Sequence, residues 1–127
     1  MLPIIVEACL SFAEKWRNHK QDYHDEKDFL PYIALGEFAR HLIELKSQNQ
    51  TNEFGKVFET IERLLIEGDN YVKEAMTIGF LEGLQNNAKE DAEKFVQYLK
   101  PVSLEWWNEV NKFWNAEIKY VGETFIN

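Results

Sequence analysis

The 127-residue sequence predicts an all-α protein of about six helices, packed as antiparallel pairs in a helical bundle or a short HEAT-like α-solenoid. Apolar residues recur every three or four positions, no stretch alternates apolar and polar residues, and only 6 Gly and 3 Pro interrupt the pattern. With 45% hydrophobic residues, a chain of this length buries one core without disulfides or metals. We therefore predict a single helical domain, residues 1–127.

The stretch Asp69 to Asn86 is predicted to be the central helix, because it is apolar on two sides. Asp69 is placed to cap its N-terminus. Gly79 and Gly83 stand four residues apart on one face, where each glycine costs about 1 kcal/mol of helix propensity. That cost predicts another helix crossing closely at these two positions.

The helices before the central one are predicted from proline and cap signals. The first helix starts at Pro3 and continues to about residue 20, with Cys9 on its apolar stripe as an inert buried thiol. A charged loop follows, and Pro31 opens the second helix. Thr51 is predicted to cap the third helix, and Gly68 to end it in the left-handed conformation.

Two helices are predicted after the central one. A short helix runs up to Pro101, and Ser103 caps the last helix, which Gly122 ends. The last helix has an apolar arc of roughly 200°, wider than one core face needs. Such a helix either wedges between two others or keeps an aromatic edge for a partner.

The formal charge of −8 is divided evenly between the two halves of the chain. This surface repels nucleic acid and anionic lipid and attracts basic partners, although acidity also serves solubility alone. Neither a signal peptide nor an apolar run long enough for a membrane span is found, and the single cysteine excludes an internal disulfide. We expect a cytoplasmic protein that is monomeric outside a complex.

The sequence contains no motif that predicts catalysis, and we expect no cofactor and no metal. His41 lies at the edge of an apolar face and is interpreted as structural, because no acid or nucleophile stands beside it in sequence. A metal site at His19 and His24 is disfavoured, since histidines five apart on a helix diverge by about 140°. Glu82 and Glu117 fall on apolar sides and are expected to be held by donors inside the fold.

One motif resembles a known family. A helix ends in Glu67, Gly68 and Asp69, and the segment GFLEGLQN follows from residue 79 to residue 86. A step YLKPVS, residues 98–103, comes next, followed by a tryptophan, Trp106 or Trp107. Over residues 32–110 this pattern resembles small, acidic, all-helical bacterial proteins common among the immunity proteins of polymorphic or contact-dependent toxins.

The resemblance implies a non-enzymatic protein that binds and neutralises a cognate toxin domain by occlusion, with a nuclease as the expected toxin. Acidic loop residues and carboxylates beside aromatics of the last helix are the candidate contacts: Asp22, Asp25, Glu26, Asp28, Glu105, Trp106, Glu109 and Glu117. The alternatives are an intracellular helical adaptor or scaffold without a toxin partner, and a metal-dependent or acid–base hydrolase using Glu82, Glu117 and the histidines.

Overall fold

The computed structural model describes residues 2–22 and 30–114, and within these ranges every regular element is helical. The all-α prediction is therefore confirmed. In chain order the elements are α1 (Leu2–Ala8), a 3-10 turn (Leu10–Phe12), α2 (Ala13–Asp22), α3 (Leu30–Ser47), α4 (Phe54–Glu67), α5 (Asn70–Glu74), a π-helical segment (Ala75–Leu81), α6 (Glu82–Ala88), a 3-10 helix (Lys89–Tyr98) and α7 (Pro101–Trp114).

The predicted first helix is broken at Cys9, where the prediction of one continuous helix is wrong. Cys9 has φ −137° and ψ 79°, which is not helical, and the 3-10 turn separates α1 from α2. Ile5, Cys9 and Phe12 are all fully buried, so the apolar spacing continues across the break. Periodicity alone could not reveal it, because residues three and four apart share a face in both helix types.

The predicted central helix is continuous from α5 to α6, with the π-helical segment in its middle. The close crossing predicted at its glycines is confirmed. A Cβ built on Gly79 would lie 3.0 Å from Leu35 Cδ1 of α3, and one on Gly83 would lie 3.5 Å from Ala39 Cβ. Both contacts advance in the same direction along the two helices, so α3 and the central helix run parallel where they cross.

Three predicted helix ends can be compared with the structure. Asp69 caps α5 as predicted, since its Oδ1 accepts a hydrogen bond from the N–H of Val72 at 3.0 Å. Gly68 ends α4 in an extended conformation, φ −70° and ψ 159°, so the left-handed prediction is wrong. Thr51 is also not the cap of α4, because the capping position is Glu53.

The core is built largely from aromatic side chains that contact one another between the helices. Phe38 of α3 lies 5.1 Å from Phe12 and 5.5 Å from Phe80, measured between ring centroids. Phe58 of α4 continues this series from Phe80 to Tyr98 of the 3-10 helix. The buried rings therefore connect the 3-10 turn, α3, the π-helical segment, α4 and the 3-10 helix in one cluster.

Candidate functional site

The start of α7 is held by a buried glutamate of α4. The Glu62 side chain accepts hydrogen bonds from the N–H groups of Val102 and Ser103, each at 2.8 Å. These groups belong to the first turn, which has no intrahelical acceptors. Ser103 therefore lies inside α7 and is not its N-cap, although its hydroxyl accepts a bond from the N–H of Lys100.

Beyond its first turn, α7 is fixed along the side that faces the core. Trp107 and Val110 are fully buried. Gln85 of α6 donates a hydrogen bond from Nε2 to the carbonyl of Trp107, at 3.1 Å. Helix α7 packs on α4 and on the π-helical segment, so its described part lies between two other elements.

The other side of α7 carries the described members of the predicted binding set. Glu105 is exposed, and Trp106 is half-buried with its ring packed against the core. Glu109 stands one turn beyond Glu105, and its side chain is 28% exposed. Its carboxylate lies 3.8 Å from the ammonium group of Lys112. The structure thus brings two carboxylates and one tryptophan together on a firmly held helix.

The structure does not describe the side chains of the remaining predicted contact residues, so their position relative to α7 is not given. Asp22 is the last residue of α2, and its side chain lies outside the described part of the structure. Asp25, Glu26, Asp28 and Glu117 lie outside the described residues.

A second group of polar side chains, the His41 cluster, was not predicted. Its members are Cys9, Ser11, Lys15, His41, Glu44 and Glu53. They connect the 3-10 turn and α2 with α3 and with the residue just before α4. Ser11 Oγ lies 2.8 Å from His41 Nε2 and 2.5 Å from Glu53 Oε1. Lys15 Nζ lies 3.1 Å from His41 Nδ1 and 3.2 Å from Glu44 Oε2.

The hydrogen-bond partners determine where the protons lie in the His41 cluster. Lys15 can only donate, so His41 Nδ1 accepts and its Nε2 carries the hydrogen. The imidazole therefore donates to Ser11 Oγ, and the Ser11 hydroxyl donates to Glu53. Burial lowers the pKa of His41, and the nearby Lys15 ammonium lowers it further. Neutral His41 is the form that this arrangement stabilises.

Glu53 acts as a cap for the 3-10 turn between α1 and α2. Its Oε2 accepts a hydrogen bond from the N–H of Ser11 at 3.2 Å, in addition to the bond from the Ser11 hydroxyl. Burial raises the pKa of Glu53, but these hydrogen bonds favour the carboxylate more strongly and leave its pKa below the usual value. Glu53, just before α4, thus holds the 3-10 turn, and Glu62, within α4, holds the start of α7.

The His41 cluster has the residue types of a hydrolase but not the required order of hydrogen bonds. In a nucleophilic triad the histidine accepts the serine proton and donates its other hydrogen to a carboxylate. Here a lysine donates to the far nitrogen of His41, and the carboxylate of Glu53 bonds to Ser11 directly. The hydrogen bonds are therefore not those of a nucleophilic triad, and they tie the 3-10 turn, α2, α3 and the start of α4 together.

The other predicted chemical groups are placed as follows. Cys9 is fully buried, as predicted, and burial raises the pKa of its thiol to about 11. Glu82 is half-buried, and burial raises its pKa while a hydrogen bond with the Asn86 side chain opposes that rise. Glu117, its proposed companion in a hydrolase, lies outside the described residues.

The disfavoured metal site at His19 and His24 is not tested by the structure, because the His19 side chain and His24 lie outside the described part. Among the described side chains, no group of three or more potential ligands is arranged for a metal ion.

An open groove lies between α1, α4 and α5. It has a volume of about 510 Å³ and is lined by Ile4, Leu64 and Val72 and by the charged residues Arg63 and Glu67. The Arg63 guanidinium lies 3.6 Å from the Glu67 carboxylate, so the two charged residues of the lining compensate each other.

None of the described helices is long and apolar enough to cross a membrane.

Comparison with known proteins identifies the family of this chain. No curated protein and no solved structure matches the chain. A family model described as a domain of unknown function, DUF7674, matches residues 2–115. That match covers nearly the whole chain, which therefore belongs to the DUF7674 family.

Proposed function

We propose that this protein is an immunity protein that binds a cognate bacterial toxin domain, a nuclease by expectation, and neutralises it by occlusion. The resemblance of residues 32–110 to toxin immunity proteins is the origin of the proposal. The structural observation that supports it best is the outer side of α7, where Glu105, Trp106 and Glu109 lie on a helix anchored by Glu62.

Anchoring matters for affinity because a surface that is already ordered loses little conformational entropy on binding. The Glu62 bonds to Val102 and Ser103 and the buried ring of Trp107 fix the axis and rotation of α7 before any partner arrives. Tryptophan is one of the residues that most often anchors an interface, and the half-buried Trp106 offers part of its ring. The carboxylates of Glu105, one position before Trp106, and of Glu109, three positions after it, lie on either side of the ring in sequence.

The charge of the chain supports the same partner class. A nuclease presents basic surface to its nucleic-acid substrate, and a protein with a formal charge of −8 is attracted to such a surface at long range. Occlusion requires contact and no reaction, which agrees with the order of hydrogen bonds in the His41 cluster. The partner is thus expected to associate rapidly at low salt and more slowly at high salt.

The first experiment is co-purification with the product of the gene immediately upstream, followed by measurement of the affinity at several salt concentrations. We expect a complex whose dissociation constant rises steeply with salt. If no complex forms and the upstream product is not toxic, the immunity proposal is wrong, and the helical adaptor or scaffold becomes the better hypothesis.

Charge reversal locates the contact surface. Glu105→Lys combined with Glu109→Lys is expected to slow association and to flatten its salt dependence. Glu7→Lys combined with Glu59→Lys is the matched control, because both are exposed carboxylates, on α1 and α4, and the net charge changes by the same amount. Equal association rates for the α7 variant and the unchanged protein would remove Glu105 and Glu109 from the interface.

A further inference from the structure

We propose that α2 is a hinged arm whose attachment to α3 is released when His41 is protonated. The inference concerns a conformational device within the chain, and it does not depend on the proposed function. It is carried by the break at Cys9, the shallow packing of α2 and the contacts of the His41 cluster.

The hinge lies next to a fixed point. Cys9 interrupts the helix, and Phe12, at the end of the 3-10 turn, is buried with its ring 5.1 Å from that of Phe38. The chain up to Phe12 is therefore held by the core. Helix α2 starts at the next residue, so a rotation at this junction moves α2 and leaves α1 in place.

Helix α2 itself is only lightly attached. Leu2, Ile5 and Ala8 of α1 are buried, whereas no described side chain of α2 is buried to that degree. Trp16 is half-buried against the core, and Lys15 makes the polar contacts to α3. Among the described side chains of α2, therefore, none is anchored in the core as firmly as those of α1, which favours separate movement of α2.

The contact between Lys15 and His41 depends on protonation. Neutral His41 accepts a hydrogen bond from the Lys15 ammonium at Nδ1, 3.1 Å away. A protonated imidazole carries a hydrogen on both nitrogens and cannot accept this bond. Two cations would then face each other at hydrogen-bond distance, so this contact would become repulsive. The ion pair of Lys15 with Glu44, at 3.2 Å and between exposed side chains, would remain as a weak polar link between α2 and α3.

The other groups around His41 oppose this change only in part. Glu44 on α3 and Glu53 before α4 are negative and favour the imidazolium, but burial and Lys15 have the larger effect and keep the pKa of His41 below its usual value of 6.5. Ser11 continues to accept the Nε2 hydrogen in both states, and the neighbouring Cys9 thiol stays uncharged because its pKa is raised to about 11. The Phe12 ring, 5.5 Å from the imidazole, carries no charge. Among these neighbours, therefore, only the contact with Lys15 becomes unfavourable when His41 is protonated.

Hydrogen exchange of the backbone amides tests the device on the protein alone, at about pH 7.5 and about pH 5, with His41 protonation followed by NMR of its ring. After correction for intrinsic exchange rates, we expect protection of α2 to fall roughly tenfold at the lower pH, as for loss of one charged hydrogen bond. Protection of α1 and α3 should be retained.

Two variants separate the switch from general acid destabilisation. In Lys15→Met the contact is absent at both pH values, so α2 should exchange rapidly throughout and show no pH step. Arg17→Met, on the same helix and outside the cluster, should keep the step. The proposal is overturned if α2 stays protected while His41 is protonated, if His41 remains neutral at the lower pH, or if α1, α2 and α3 lose protection together.

The consequence for partner binding rests on the proposed function, since Asp22 at the end of α2 belongs to the candidate contact set. Release of α2 would displace Asp22, so affinity for the upstream gene product should fall at low pH in the unchanged protein and less in Lys15→Met. The exchange experiment needs no partner. Its result is therefore independent of whether a toxin complex exists.

Discussion

The carboxylate of Glu62 and the backbone N–H of Ser103 lie 2.8 Å apart, although the two residues are 41 positions apart in the chain. Glu62 lies in the middle of α4 and caps the start of α7, which makes α4 the support of the last described helix. Nine residues earlier, Glu53 supports the turn before α2 in a similar way. Both the 3-10 turn before α2 and the start of α7 are thus held by carboxylates supplied by distant sequence.

Replacement of Glu62 should destabilise the fold more than replacement of an ordinary surface glutamate. In Glu62→Ala the buried N–H of Ser103 and the partly buried N–H of Val102 lose their acceptor, with an expected cost of roughly 1–3 kcal/mol for a group that stays buried and unpaired. Urea unfolding measures this loss. Glu59→Ala, at an exposed position of the same helix, should change the free energy of unfolding by less than about 0.5 kcal/mol. Similar losses in both variants would contradict a capping role for Glu62.

The thiol of Cys9 should be unreactive in the folded protein. It is fully buried, and its pKa is raised to about 11, so little thiolate exists at neutral pH. We expect a disulfide reagent to modify Cys9 at neutral pH only after unfolding in urea. Rapid modification of the folded protein, at the rate of the unfolded chain, would show that the segment around Cys9 opens freely.

The features predicted correctly from the sequence are those that local residues determine. The cap at Asp69 needs only the amide three residues later, and the crossing at Gly79 and Gly83 follows from the cost of placing glycines inside a helix. The break at Cys9 could not be predicted in this way. The carboxylate that holds the following turn comes from Glu53, which is 42 residues away from Ser11.

The His41 cluster was missed for the same physical reason. No acid or nucleophile stands beside His41 in sequence, whereas the fold places Ser11 against its Nε2 and Glu53 against Ser11. For the contact between α4 and α7, by contrast, a signal was present: Glu62 stands among the buried positions of α4, between Ile61 and Leu65. A glutamate on the apolar side of a helix predicts that hydrogen-bond donors lie near it inside the fold, but it does not predict which residues supply those donors.

Stability should decrease as the pH falls below 6.5. The folded state lowers the pKa of His41 from that value, so it favours the neutral imidazole. The resulting stabilisation is complete above the unfolded pKa and is lost as the pH falls through the lower folded pKa. Urea unfolding at several pH values should show this loss, and His41→Gln should remove the part of it between pH 6.5 and the folded pKa of His41. An identical pH profile for the variant would mean that other groups cause the loss.

Alanine at the glycines of the crossing should have opposite effects. A Cβ on Gly79 would lie 3.0 Å from Leu35 Cδ1 and 3.1 Å from Leu35 Cβ, and the latter atom moves only with the backbone of α3. Overpacking of this kind costs roughly 1–3 kcal/mol, which outweighs the gain of about 1 kcal/mol in helix propensity. Gly79→Ala is therefore expected to be destabilising.

At Gly83 the added Cβ would meet Ala39 Cβ at 3.5 Å, an ordinary contact, so the gain in propensity remains. Gly83→Ala should stabilise the protein by up to about 1 kcal/mol. Gly55→Ala in α4 is the control, because nothing lies within 4 Å of its Cβ position and only propensity changes. Thermal unfolding of the three variants gives the comparison. If Gly79→Ala raised the melting temperature as much as Gly55→Ala, α3 would not hold Leu35 firmly against the π-helical segment, and the tight packing of this crossing would be disproved.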